Sequence, residues 1–462
     1  MLELAEWCIL DAGEFPRLKN LEVIKCPKLI KDLPTKVPSL VRLNIEKCPQ
    51  LVALLPRTTS IRELLLEECQ AVQWEWQAVS SVEKLEISSF ANLKEFERDL
   101  VTLTNLKDLN VKKCPRLLSF PEGMMRLNNL KELCVHKCPK LVLPLSSEMN
   151  HCYTSLERLD LYHCPNLKSL PLGSLQKLRS LQIRKCKNFE TMLIPNGIEL
   201  QNLPLLESLH IEFCNNLVSF PCGGLPAPKL SSLWVQNCEK LEALPEQMHS
   251  LLPSLQKFEL SSCPKIDSFP EGGLPSKLDS LSIRKCKKLV GGWRGWGLQT
   301  LTSLTHFALS CESEDMVESF PEEGLLPSTL KLLSIRNLQN LKSLNNRALQ
   351  LLVSLKCLEI HNCPQLKSLP EEGLPTSLFV LVISNCAVLK PRCRMEKGED
   401  WHKENKNFPL SFQSLKVSHC RRWGYSTLDA AYDSQVECFG ALDHMLNLIC
   451  CCDSQVGMLW CS

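Results

Sequence analysis

Three kinds of sequence are missing from this 462-residue chain. No stretch reaches 18 uninterrupted apolar residues, so no membrane span is expected. There is no Gly-Lys pair, which excludes the Gly-x-x-x-x-Gly-Lys-Ser/Thr loop that cradles nucleotide phosphates. None of the 24 asparagines begins an Asn-x-Ser/Thr glycosylation site, although chance alone would give roughly three. These absences argue against a membrane receptor, a nucleotide-driven enzyme and a secreted glycoprotein.

An excess of charge of one sign is also missing, since 53 Lys and Arg residues face 51 Asp and Glu residues. Bulk charge therefore indicates neither a nucleic-acid partner nor a membrane partner. The chain start lacks the basic residues and the long apolar run of a secretory signal. The 26 cysteines belong to a chain too long for a small disulfide scaffold, so reduced thiols in the cytoplasm or nucleus are expected.

One pattern recurs along the chain, Leu-x-x-Leu-x-(Leu/Ile/Val)-x-x-Cys-x-x-Leu. It is clear at LKNLEVIKCPKL (18–29), LERLDLYHCPNL (156–167) and LKCLEIHNCPQL (355–366). We call the third apolar residue of each unit its marker. There are 17 markers, spaced 21 to 28 residues apart except for a final interval of 34. This period is typical of leucine-rich repeats. The markers are Val23, Ile45, Leu66, Ile87, Val111, Val135, Leu161, Ile183, Ile211, Val235, Leu260, Ile283, Leu309, Ile335, Ile360, Ile383 and Val417.

The pattern predicts an α/β repeat solenoid, a leucine-rich-repeat horseshoe with a parallel concave sheet. Each Leu-x-(Leu/Ile/Val) core alternates in and out, as a short strand with one buried face does. Leu-Pro and Phe-Pro pairs predict a mostly irregular convex side. We expect an incomplete leading repeat over 1–17, sixteen units over 18–390 and a C-terminal stretch over 391–411. One further strand motif and a divergent cysteine-rich tail would fill 412–462.

A cysteine stands three positions after the marker in 14 of the 17 units. The chain must turn there, and a thiol is a weak donor that can satisfy backbone groups inside the coil. The alternative is a metal or redox ladder, because adjacent strands would bring the thiols about 5 Å apart. No Cys-x-x-Cys or Cys/His zinc spacing accompanies them, which favours a structural role. The predicted ladder is Cys26, Cys48, Cys69, Cys114, Cys138, Cys164, Cys186, Cys214, Cys238, Cys263, Cys286, Cys363, Cys386 and Cys420.

Short motifs beyond the leucines resemble one known family. LVSFPCGGLP (217–226), IDSFPEGGLP (266–275) and LKSLPEEGLPTSL (366–378) look like the repeat region of plant coiled-coil nucleotide-binding leucine-rich-repeat disease-resistance proteins. VLKPRCRMEKGEDWHK (388–403) is similar to the stretch that closes that region. The resemblance covers roughly residues 4–403.

The resemblance implies a function in plant defence. In that family the repeats sense pathogen effectors or their effects, and they fold back on a nucleotide-binding domain to hold it inactive. Since this chain has no phosphate loop, it looks like a truncated member, a fragment or a product reduced to its repeats. We therefore expect no cofactor, with ADP or ATP bound only by a nucleotide-binding domain outside the chain. The implied partner is a pathogen effector, a guarded host protein or that domain, with no nucleic acid.

The residues one before, one after and two after each marker should face solvent on the concave sheet, where binding residues can vary. Units seven to ten place aromatic and basic residues there, the types that anchor protein interfaces. The alternative is that the aromatic rings pack laterally over neighbouring strands. The predicted protein-binding residues are Tyr162, His163, Arg184, Lys185, His210, Phe213 and Trp234.

Charges at these positions are segregated along the chain. The first four units carry mainly glutamates, and later units carry mainly lysines and arginines, which could steer a charged partner. Ordinary surface variation would also explain this. The acidic set is Glu22, Glu46, Glu67, Glu68 and Glu86, and the basic set is Lys112, Lys113, Lys137, Arg184, Lys185, Arg284 and Lys285.

Two other classes of function are alternatives for a chain of this pattern. Cysteine-type leucine-rich repeats also occur in adaptors such as ubiquitin-ligase substrate receptors, but the helical repeat segment and F-box-like start of those proteins are not visible here. An enzyme is not expected, because the ten histidines are scattered and no nucleophile lies at triad spacing from them. The leading hypothesis is a protein-recognition scaffold of plant intracellular immunity.

Overall fold

The structure is a computed structural model. It describes residues 15–389 except for 31–32, 35, 52–55, 57, 70–75, 97, 122–123, 125–126, 143–154, 194–202 and 313–317. All described residues lie in Met1–Val417, the first of two units into which the chain divides. Nearly all of the expected leading repeat, the whole of 391–462 and the predicted ladder residue Cys420 lie outside the described residues.

Sixteen parallel strands form one sheet, and each contains the marker of one of the first sixteen units. The strands lie side by side in chain order. They are β1 (Asn20–Ile24), β2 (Arg42–Glu46), β3 (Glu63–Glu67), β4 (Lys84–Ser88), β5 (Asp108–Lys112), β6 (Glu132–His136), β7 (Arg158–Tyr162), β9 (Ser180–Arg184), β11 (Ser208–Glu212), β12 (Ser232–Gln236), β13 (Lys257–Ser261), β14 (Ser280–Arg284), β15 (His306–Ser310), β17 (Leu332–Arg336), β19 (Cys357–His361) and β20 (Val380–Ser384).

The strands stack in register. Leu21 lies opposite Leu43, and the marker Val23 lies opposite the marker Ile45. The same register continues to β20, with Phe258 and Phe307 at the leucine position in β13 and β15. Buried and less buried residues alternate along most strands, because successive side chains of a strand point to opposite faces. This architecture confirms the predicted repeat solenoid.

Between these strands the described residues form only short elements. Two small parallel pairs join β8 (Ser169–Pro171) to β10 (Thr191–Leu193) and β16 (Ser319–Phe320) to β18 (Ser343–Leu344). The α-helices among the residues that the structure describes are α1 (Met248–Leu251), α2 (Lys287–Gly291) and α3 (Asn346–Gln350). The described 3-10 helices are Trp76–Val79, Arg98–Thr102, Leu172–Ser174, Trp293–Gly295 and Leu298–Thr300. The irregular character expected from the Leu-Pro and Phe-Pro pairs is therefore present.

One continuous apolar core runs through the coils from Leu21 to Leu389. No single coil could shield its own leucines, so each depends on its neighbours for burial. Two tryptophans fill the coil between β14 and β15. The Trp293 ring lies 4.9 Å from the Phe320 ring, and the Trp296 ring lies 5.2 Å from the Phe269 ring, centre to centre.

The residue two positions after the marker has a left-handed backbone in fifteen of the sixteen coils, with φ between 50° and 62°. Its N–H still donates to the next coil, as from Lys25 to the carbonyl of Glu46 at 2.8 Å. The sheet hydrogen bonding thus extends one residue past each strand while the chain turns. This left-handed conformation costs a non-glycine residue on the order of 1 kcal/mol. The sequence pattern places the turn three positions after the marker, whereas in the structure it begins one residue earlier.

The thirteen described ladder cysteines are all buried, with at most 2% of each residue exposed. The Cys69 thiol lies 3.0 Å from the carbonyl oxygen of Glu67, two residues before it in the same coil. It also lies 3.3 Å from the carbonyl oxygen of Ile45, the marker of the preceding coil. Cys214 repeats this geometry at 3.6 Å and 3.5 Å. The thiols therefore link adjacent coils, whereas the sequence suggested that each serves only its own coil.

Burial also controls the chemistry of these thiols. It raises the pKa of Cys69 and of Cys286 to about 12, because a thiolate is poorly solvated among apolar side chains. The described cysteines form no disulfide. Cys222, in the loop after β11, is exposed.

Alkylation should separate these environments. At pH 8, we expect a short pulse of iodoacetamide to modify Cys222 and to leave Cys69 and Cys286 almost unmodified, since the reaction needs an accessible thiolate. Peptide mapping by mass spectrometry gives the extent at each site. In denaturant all three should react at similar rates. Similar rates in native buffer would show that the ladder is not buried.

Candidate protein-binding surface

We define the strand face as the residues one before, one after and two after each marker. Several of them are buried, which corrects the expectation that all face solvent. Asp160, Ser334 and Glu359 are between 2% and 7% exposed. Strands about 4.8 Å apart allow long side chains on one strand to cover short polar ones on the next.

Asp160 is the buried anchor of the predicted site. The Arg184 guanidinium on the next strand donates to both carboxylate oxygens, at 3.0 and 3.2 Å. The His136 ring on the preceding strand lies 3.1 Å from the same carboxylate. Burial raises the pKa of Asp160, but the bonds from His136 and Arg184 outweigh burial and hold it below its usual value. Asp160 therefore carries a charge that fixes Arg184 in place.

Tyr162 lies at the centre of a group of cations. The Lys185 ammonium lies 5.3 Å from the centre of its ring, and the Arg184 guanidinium lies 5.6 Å from it. Lys185 also lies 5.8 Å from the centre of the Phe213 ring. The exposed His163 ring has its centre 6.4 Å from that of Tyr162. These five predicted residues form one contiguous group, which we call the Tyr162 cluster.

The other two predicted residues form a pair on adjacent strands. His210 lies opposite Trp234 in the register of β11 and β12, with ring centres 6.0 Å apart. Burial, followed by the nearby charge of Arg184, lowers the pKa of His210 to about 4, although Asp160 opposes this. His210 is therefore neutral at pH 7. The rings of His210 and Trp234 are partly exposed, and they also pack against each other across the two strands. Lateral packing, the alternative for this region, is therefore present together with partial exposure.

Sequence reasoning missed His136 and Asp160, which hold the cluster together. Neither is unusual in its own repeat. The signal lay between repeats. Aligning the markers places His136 opposite Tyr162, and it places Asp160 opposite Gln182, two residues before Arg184 on the same strand.

Pairs of a half-buried or buried acid with a neighbouring base recur on other strands. Glu259 lies 3.4 Å from the Arg284 guanidinium and accepts from the Gln236 amide at 2.8 Å. Glu359 accepts from Ser334 and from Arg336, both at 2.9 Å. Hydrogen bonds from His361, Ser334 and Arg336 overcome its burial and lower the pKa of Glu359 to about 2.

These pairs reduce the segregation of charge that the sequence indicates. Lys112 lies 2.9 Å from Glu86, and Arg284 is paired with Glu259. Lys285 lies 3.1 Å from Glu312.

Among the described residues, no group of three or more His, Cys, Asp or Glu side chains could hold a metal ion. The helices of the described residues have three to five residues each, too few to span a bilayer.

The stacked strands, the repeat period and the continuous core define a leucine-rich-repeat solenoid. The chain is 42% identical over 245 residues to a curated Arabidopsis thaliana protein named "Putative disease resistance protein". This match confirms the resemblance to plant disease-resistance proteins. It covers 53% of this chain and only 17% of the relative's length. No family model matches the chain.

Solved leucine-rich-repeat structures are also similar. The repeat domain of the type III effector XopL is 23% identical, with a TM-score of 0.32, over 55% of this chain and 71% of that one. A Leptospira interrogans leucine-rich-repeat protein is 18% identical, with a TM-score of 0.41, over 77% of this chain and 92% of that one. TLR13 in complex with ssRNA13 is 17% identical, with a TM-score of 0.38, over 77% of this chain and 66% of that one. At these scores, the fold assignment depends on the strands and repeats themselves.

The depressed pKa of His210 predicts acid sensitivity. As the pH falls from 6.5 to about 4, protons bind this residue in the unfolded chain and not in the folded one, so stability is lost. The difference corresponds to roughly 3 kcal/mol. The His210→Gln variant should lose that much less stability than the wild type between pH 7 and pH 4 in urea unfolding.

The control is His163→Gln, at an exposed position of the same strand face. We expect it to keep the pH dependence of the wild type. If His210→Gln also keeps the wild-type pH dependence, then burial does not hold His210 in its neutral form in the folded chain.

Proposed function

We propose that this chain is the protein-recognition segment of a plant disease-resistance protein, acting inside the cell in innate immunity. The observation that carries the proposal is the 42% identity, over 245 residues, to the Arabidopsis protein. The chain spans a small part of that relative, so the remaining functions of such a protein belong to segments outside the match.

The Tyr162 cluster supports a recognition role. Tyr, Trp and Arg are the residue types that most often dominate the binding energy of protein interfaces. Here Arg184 is held by Asp160, and the Tyr162 ring is held among cations. A surface that is already ordered loses less conformational entropy when a partner binds.

Two kinds of partner fit this proposal. One is a pathogen effector or a guarded host protein, and the other is the nucleotide-binding domain of the same system. ADP or ATP would be bound by that domain, and this chain would need no cofactor. The free described cysteines are consistent with a reducing compartment, either the cytoplasm or the nucleus.

Co-purification tests the contact with the nucleotide-binding portion. We expect the full chain to associate with the Arabidopsis relative from which the matched segment has been deleted, when the two are co-expressed. The double variant Tyr162→Ala and Trp234→Ala should reduce the recovered partner about tenfold, because both aromatic anchors are lost. Quantitative mass spectrometry measures the recovery.

Phe379→Ala is the matched control, since Phe379 is an exposed aromatic residue outside the strand face. It should leave recovery unchanged. No association of the wild-type chain, or equal recovery with all variants, would argue against this contact.

A further inference from the structure

The residues four positions before the markers form a row along one edge of the sheet, immediately before the strands begin. In the middle of this row, acids and bases are paired across neighbouring coils. The Lys131 ammonium lies 3.0 Å from the Glu157 carboxylate, and the Arg179 guanidinium lies 2.6 Å from the Glu207 carboxylate. Pairs of this kind balance the charge of the middle of the row.

The row is different in its last three described coils. There it holds Lys331, Lys356 and Phe379, just before β17, β19 and β20. The three residues lie side by side, because the Lys356 N–H donates to the Lys331 carbonyl at 2.8 Å and the Phe379 N–H donates to the Lys356 carbonyl at 2.9 Å. Within the part of the chain that the structure describes, neither lysine has an acidic partner. This end of the row therefore carries unbalanced positive charge.

Exposed apolar side chains accompany these lysines. Val353 is 67% exposed and Phe379 is 61% exposed, the two largest values among the large apolar residues described. The Ser377 hydroxyl donates to the Leu355 carbonyl at 2.9 Å, which places the segment before Phe379 against the segment after Val353. Leu351, two residues before Val353, is also exposed. We call this set the Phe379 edge: Lys331, Leu351, Val353, Lys356 and Phe379.

The Phe379 edge is separate from the Tyr162 cluster. In the order of the sheet, nine strand spacings lie between β7, which carries Tyr162, and β20, which follows Phe379. At about 4.8 Å per spacing, this corresponds to about 40 Å along the sheet. A contact at the edge can therefore form independently of a contact at the cluster.

We propose that the Phe379 edge binds a segment of a partner protein in which acidic residues precede apolar ones. The carboxylates of that segment pair with Lys331 and Lys356, and its apolar side chains cover Phe379 and Val353. Contiguous exposed apolar side chains mark interaction surfaces, and complementary charge beside them adds specificity. This inference goes beyond the proposed function, because it needs neither the Tyr162 cluster nor a nucleotide-binding domain.

Two other occupants fit the edge less well. An anionic bilayer attracts lysines, but exposed acids lie close by. Gln350 donates to the Gly373 carbonyl at 3.2 Å, which places the exposed Glu371 and Glu372 near Leu351. Anionic lipid headgroups repel these carboxylates. A second copy of the chain, joined edge to edge by a two-fold axis, would set lysines against lysines.

Two pairs of variants test the charge and the ring separately. The charge variant combines Lys331→Gln and Lys356→Gln. Its control combines Lys107→Gln and Lys131→Gln, which lie at the same position of the row and have acidic partners. Both variants lose two positive charges, so a difference between them reflects the place of the charge and not its amount.

The ring variant is Phe379→Ala. Its control is Val41→Ala, because Val41 is an exposed apolar residue at the same position of the row, just before β2. Both substitutions remove an exposed apolar side chain next to a strand. Circular dichroism checks that all four variants are folded.

Fluorescence anisotropy of a labelled peptide gives the affinity, with the full chain in low salt. The peptide consists of four glutamates followed by Leu-Phe-Leu-Phe. We expect the charge variant and the ring variant each to bind it about tenfold more weakly than the wild type, and both controls to bind within about twofold of the wild type. A second peptide, with four lysines in place of the glutamates, should bind the wild type at least about tenfold more weakly.

Several outcomes would overturn the inference. They are an absence of binding of the glutamate peptide, equal losses in a variant and its control, and equal or tighter binding of the lysine peptide. Sedimentation with phosphatidylserine vesicles that is lost in Phe379→Ala would assign the edge to lipid. A dimer in light scattering that is lost in Phe379→Ala would assign it to a second copy.

The test is independent of the proposed function. Phe379→Ala is expected to leave the association with the Arabidopsis relative unchanged and to weaken binding of the glutamate peptide. Failure of that association and failure of peptide binding at the edge are therefore distinguishable.

Discussion

The hydrogen-bonded register between neighbouring parallel strands is the constraint on which the rest of this structure depends. It places each described marker beside a marker, and the apolar residue two positions before each marker beside its counterpart, which builds the core. It also brings nine of the thirteen described ladder thiols within hydrogen-bonding reach of the carbonyl oxygen of the preceding marker. A shift of one residue between two coils would move apolar side chains to the outer face and separate these thiols from their acceptors.

The same register creates the candidate binding surface. Asp160, His136 and Arg184 belong to three different coils, and only the stacking of those coils brings their charges together. Once assembled, the buried carboxylate orients the guanidinium beside Tyr162. The surface is therefore a property of consecutive repeats and not of any single one.

The sequence was sufficient for features that recur within each repeat. The period, the strand positions and the cysteine ladder could be predicted because every unit repeats the same local pattern. The bond between Arg184 and the buried Asp160 and the pairing of Lys112 with Glu86 could not be predicted. They join residues 24 and 26 positions apart, and the lengths of the loops between strands decide which residues meet. The left-handed turn was also missed. Lys, Ser, His and Phe occupy it as well as Asn, so composition gave no signal comparable to a glycine.

That left-handed position limits how such a surface can change during evolution. In the fifteen coils concerned, the residue is Lys, Glu, Ser, His, Phe or Asn, and in none is it Val, Ile or Thr. Branching at the β-carbon conflicts with a positive φ, whereas unbranched side chains of any charge pay a similar backbone cost. Natural variants can therefore exchange charge, ring and amide at this position without new strain. The array therefore offers a row of contacts that can each change independently, and the backbone conformation determines which residue types can occupy them.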